Sequence, residues 1–90
     1  MPRFLVERSF VNGLALPATA EGAAACRNVV ARNGESQVTW IHSYVTPDRT
    51  RTYCIYDAPT PEAIRQVAER NGLPVDRVTE VRVLDPYFHF

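Results

Sequence analysis

The chain has 90 residues, enough for one compact domain with a two-layer core but small enough to leave much of its surface exposed. Lys plus Arg equals Asp plus Glu at ten each, and all ten basic residues are Arg, so there is no excess positive charge to neutralise a phosphate backbone and no nucleic-acid partner is expected. The opening MPRFLVERSF carries charges every few positions, which argues against a signal peptide or a membrane span, and two cysteines do not make a disulfide framework; the expectation is a cytoplasmic protein with reduced thiols.

Residues 3–10 alternate, with Phe4, Val6 and Phe10 on one side and Leu5, Glu7 and Ser9 on the other, as in a strand whose more apolar side is interrupted by Arg8. Asn12-Gly13 reads as a turn, and Pro17 stands where a helix begins. The alanine-rich run 18–33 has high helix propensity, with Cys26, Val29, Val30 and Asn33 at helical spacing and Asn33-Gly34 as the stop. Residues 38–57 then read as a hairpin: two runs of aromatic, β-branched and polar residues, 38–45 and 50–57, flank the turn chemistry of Pro47 and Asp48. Thr60 is placed as the N-cap of a second helix, with Pro61 at its first position and Glu62 in its first turn. Ala63, Ile64, Val67 and Ala68 form its buried stripe, Arg70 lies in its last turn and Asn71-Gly72 close it. Val81 and Val83 alternate with Glu80 and Arg82 over 79–84, the last strand.

The resulting order βαββαβ predicts an α+β, ferredoxin-like single domain over 1–90, a four-stranded antiparallel sheet with two helices on one face. Phe4, Val6, Ile41, Val45, Tyr53, Ile55, Val81 and Val83 are expected to face the helices. The opposite face then gathers Leu5, Glu7, Trp40, His42, Tyr44, Cys54, Tyr56, Glu80 and Arg82. That set is too aromatic for an ordinary solvated surface, and the tail Tyr87-Phe88-His89-Phe90 adds more rings. A homodimer of the dimeric α/β-barrel type follows, sheet face to sheet face, with the tail crossing to the partner.

If Thr46 faces Thr50, then Tyr44 faces Thr52, His42 faces Cys54 and Trp40 faces Tyr56. Paired Cβ atoms lie about 4.5–5.5 Å apart, so His42 and Cys54 would reach one ion, with Glu7 and Glu80 as oxygen ligands; a one-residue slip would separate them. Imidazole with thiolate suits nickel, zinc or copper better than calcium or magnesium. Against this stands a plainer reading in which His42 and Cys54 pack an interface and Glu7 pairs with Arg82; no Cys-x-x-Cys or His-x-x-x-His spacing favours metal. Cys26 is expected on the far side of the sheet from Cys54, as core filler. His89 either caps a metal site of the partner chain or is exposed. An enzyme reading uses the same face as a pocket lined by Trp40, Tyr44, Tyr56 and Arg82, with His42 as general base, a tyrosine as proton donor and Glu7 orienting the imidazole, acting on a compact aromatic or polyketide-like small molecule. A dimerisation module without ligand is the third reading.

FLVERSF (4–10), WIHSYV (40–45), TYCIYDAPTPEAIR (52–65) and GLPVDRVTEVRVLDP (72–86) resemble a family of small bacterial ferredoxin-like dimers labelled as a domain of unknown function, with nickel-binding members. The resemblance implies the fold, the dimer and nickel. Two departures stand out: relatives often carry a histidine near the position of Val67, and if it contributes to metal binding there its absence would weaken or abolish binding here; the 34–37 connection is also longer than usual.

Overall fold

The computed structural model describes residues 1–14 and 20–87. Its elements are β1 (Arg3–Ser9), α1 (Ala20–Glu35), β2 (Thr39–Val45), β3 (Arg51–Asp57), α2 (Pro61–Arg70) and β4 (Arg77–Val81), the βαββαβ order of the ferredoxin-like α+β fold. The four strands form one antiparallel sheet in the order β2-β3-β1-β4. Both helices cover the same face, and the core beneath them comprises Phe4, Val6, Val38, Cys54, Tyr56, Ala58, Ile64 and Val67.

The second helix forms as its residues dictate. Thr60 is extended and its hydroxyl accepts the Ala63 N–H at 3.2 Å, Pro61 starts the helix, and Ile64, Val67 and Ala68 are buried. Gly72, at φ 66°, ends it: Leu73 N–H donates to Ala68 C=O at 2.9 Å and Gly72 N–H to Glu69 C=O at 3.1 Å, a Schellman closure. The first helix runs two residues past the expected stop at Asn33-Gly34. Its closure has the same form, Val38 N–H to Asn33 C=O at 2.9 Å and Gln37 N–H to Gly34 C=O at 3.1 Å, but the left-handed position falls on Gln37, at φ 61°. Gly34 stays within the helix, and Asn33 is buried with its side-chain oxygen accepting from Asn71 at 3.2 Å. The expected start at Pro17 lies outside the described residues. Asn12-Gly13 turns as expected, with Gly13 at φ 82° and its N–H on Phe10 C=O.

The hairpin departs from its expected register. Thr46 N–H donates to Arg51 C=O at 3.0 Å, so four residues rather than three connect the strands, with Arg49 in the left-handed region. Asp48 Oδ1 stabilises this loop by accepting from the Thr46 hydroxyl at 2.7 Å, the Thr50 hydroxyl at 2.8 Å and the Thr50 N–H at 3.0 Å. The longer loop pairs Tyr44 with Tyr53, Ser43 with Cys54 and His42 with Ile55; a bulge between Trp40 and His42 absorbs the slip, and Trp40 still pairs with Tyr56.

Face assignments therefore change in β3 and β4, and at Trp40 of β2, which turns to the helices with Tyr56. Cys54 pairs with Val6 and Tyr56 with Phe4, so Cys54 and Tyr56 point to the helices, while Tyr53 and Ile55 lie on the open face. In β4 the strand starts two residues earlier than expected: Val78, opposite Val6, packs on the core, and Val83 and Leu84 are exposed beyond its end. The parity of β3 is imposed by its pairing with β1, whose own alternation is unambiguous.

Candidate functional site

Once the faces are settled, the four proposed ligands separate two and two. His42 stands exposed on the open face, its ring edge-on to Tyr44 with centroids 5.2 Å apart. Glu7 shares that face, but it pairs with Tyr53 and Arg77, two strands inward and one row along from His42. Cys54 is buried on the helix side, where its Sγ lies 3.5 Å from the Thr52 hydroxyl. Glu80 is opposite Phe4, which puts it on the helix side too, at the exposed edge of β4. The expected pairing of His42 with Cys54 is thus corrected: the four-residue loop sets His42 opposite Ile55 and turns the imidazole away from the thiol. Among the described residues no group of three or more His, Cys, Asp and Glu stands close enough to hold an ion.

The aromatic pocket also divides. Tyr44 is exposed on the open face, whereas Trp40 and Tyr56 belong to the helix side, so they cannot line a chamber between two open sheet faces. Arg82, just past β4, borders a shallow groove of about 400 Å³ at the sheet's edge with Arg3, Asp57 and Glu80. There Arg3 Nε donates to Asp57 Oδ1 at 2.9 Å, and this guanidinium holds the Asp57 carboxyl below the usual carboxylate range. Cys26 is on the same side of the sheet as Cys54, not the far side, and both thiols are free. Val67 is buried in the same cluster as Cys54, so a histidine at this position would enter the core rather than the open face. His89 lies outside the described residues.

What the sequence reading passed over is the space beneath α1. A cavity of about 290 Å³ lies between that helix and the sheet, walled by Cys26 and Val29 from the helix and by Trp40, Val45 and Tyr56 from the strands. Arg8 lines it as well, only 3% exposed, because it continues the Phe4–Val6 side of β1 into the helix-covered layer. The guanidinium lies over the Tyr56 ring, 5.6 Å from its centroid. Burial pushes the Tyr56 phenol above its ordinary value, with the Arg8 charge opposing the shift. The signal was present in the sequence as an arginine with the parity of two core residues.

A model of the family described as nickel responsive protein SCO4226-like matches residues 4–81. The chain belongs to that family. The crystal structure of SCO4226 from Streptomyces coelicolor A3(2) is similar to it, with a TM-score of 0.71 at 23% identity over 90% of this chain and 96% of that one; this likeness supports the fold alone. Among curated proteins none matches. No helix among the described residues of this family member is long and apolar enough to cross a membrane.

Proposed function

We propose that the protein is a small nickel-responsive homodimer that takes the ion on its open sheet face, through His42 and Glu7 contributed by two copies. The observation that carries the reading is the exposure of His42 on the face that neither helix covers, in a chain whose family is described as nickel responsive. One chain supplies one imidazole and, since Asp57 on the same face is held by Arg3, one unengaged carboxylate, too few and too far apart for an all-protein site. A second copy, meeting it face to face, doubles the donors to two nitrogens and two oxygens, a set that suits nickel or copper better than an all-thiolate site would. Tyr44, Ile55 and Leu5 supply apolar surface around the donors. Cys54 and Glu80 have no part in this version of the site.

Calorimetric titration of Ni²⁺ into untagged protein tests it, with His42→Ala, Glu7→Gln and Cys54→Ser compared side by side. The expected result is a loss of affinity of at least about tenfold for the first two and no change for the third. Affinity should fall as the pH is lowered, because only neutral imidazole binds metal. Equal affinity in wild type and His42→Ala would sink the assignment, as would a loss confined to Cys54→Ser. Sedimentation with and without nickel reports whether the ion is held between copies.

A further inference from the structure

We propose that the cavity beneath α1 is a binding site for a small organic acid, a monocarboxylate with a compact apolar body, whose carboxylate is held by the buried guanidinium of Arg8. A buried arginine ordinarily has an anionic partner, since an unpaired charge and its N–H groups are costly to remove from water. Arg8 has none: it takes part in neither ion pair found among the described residues, and its Nε and Nη1 are buried with no hydrogen-bond acceptor. Tyr56 lies against one face of the guanidinium and its phenol interacts with Arg8, but the Nε and Nη1 N–H groups, which could engage a carboxylate, stay unpaired.

The same cavity selects what else the ligand carries. Apart from Arg8 its wall is mainly apolar, with Leu73, Val29 and Trp40 among its residues, so a bare inorganic anion would leave most of the space unfilled. The Ser43 hydroxyl accepts the Trp40 Nε1–H at 2.8 Å and keeps its own O–H to donate, so it and the Tyr56 phenol, which burial keeps protonated, are donors available beside Arg8. A volume of about 290 Å³ holds on the order of ten non-hydrogen atoms at roughly 30 Å³ each, the size of benzoate or octanoate. The site is on the opposite face of the sheet from His42, so it stands or fails independently of the nickel reading.

Trp40 is the single tryptophan and lines the cavity, which makes its fluorescence a direct readout. Full-length protein in EDTA is titrated with benzoate, octanoate, benzamide and inorganic phosphate, with thermal stability followed in parallel. Benzoate and octanoate should perturb Trp40 and raise the melting temperature; benzamide, of the same shape but uncharged, should bind roughly tenfold or more weakly, and phosphate should do neither. Arg8→Met should abolish the preference for benzoate over benzamide, and Val29→Phe, which fills the cavity from α1, should abolish both signals with the far-ultraviolet dichroism unchanged. No response to either carboxylate overturns the proposal, as does an Arg8→Met protein that keeps the benzoate preference, or phosphate binding as well as benzoate. If Arg8→Met does not fold, the ratio of benzoate to benzamide affinity in the wild type decides alone.

Discussion

The two helices of this protein cover the same face of one sheet, yet they are seated differently. The ten-residue α2 presses Ile64, Val67 and Ala68 into the core and is closed at both ends by residues suited to the task, Thr60 and Gly72. The sixteen-residue α1 has Asn33 and Gly22 as its buried positions among those described, turns only the partly buried edges of Cys26 and Val29 towards the sheet, and is closed by Gln37 in a conformation that favours glycine. Its stripe is built of alanine and short residues, which reach less far from the helix axis than isoleucine, so a space remains. The comparison teaches that one side of the layer is committed to stability, while the other holds a cavity and an arginine that stability alone does not explain.

Truncating a sheet-facing side chain in each helix is the strongest way to break that comparison. Ile64→Ala should cost about 2–5 kcal/mol, because it opens a void in a packed region, whereas Val29→Ala should cost less than about 1 kcal/mol because it widens a space already present; urea denaturation measures both, and equal losses would show α1 to be as tightly seated as α2. Removing the α2 cap with Thr60→Ala should cost about 1 kcal/mol in the same assay. Gln37→Gly should go the other way, adding roughly 0.5–1 kcal/mol by relieving the left-handed residue at the end of α1, while an unchanged midpoint would mean that the α1 terminus is not under strain. The smallest effect is a pH dependence at the boundary between the two regions. Tyr56 has its folded-state pKa raised above the usual value of about 10, mainly by burial, so its contribution is complete below that value and is lost as pH rises through the raised one. The difference in melting temperature between wild type and Tyr56→Phe should therefore shift against the wild type at alkaline pH and stay constant below it; a flat difference would mean that the cavity side of the ring is open to water.

Much of the fold was legible without coordinates because its signals are local. The alternation of β1, the complete punctuation of α2 and the turn at Asn12-Gly13 each depend on residues within a few positions of one another. The candidate site was less so. Placing His42 beside Cys54 required the loop length, and Pro47-Asp48-Arg49-Thr50 gives turn chemistry without saying whether three or four residues will be spent on it. One residue is enough to turn every side chain of β3 to the opposite face from the one expected beside β2. The bulge at Ile41 then hid the slip, since Trp40 and Tyr56 pair as expected despite it.

By itself, then, the amino-acid order determined which segments are strands and helices, their succession and so the βαββαβ architecture, because propensity, capping and periodicity act over short distances. Only the tertiary structure decided which face of β3 is inside, that His42 is left exposed and Cys54 buried, and that Arg8 lies beneath α1 with its Nε and Nη1 unpaired. Those outcomes rest on strand register and helix seating, where Val6 opposite Cys54 and the reach of an alanine-rich helix count for more than the character of any single residue.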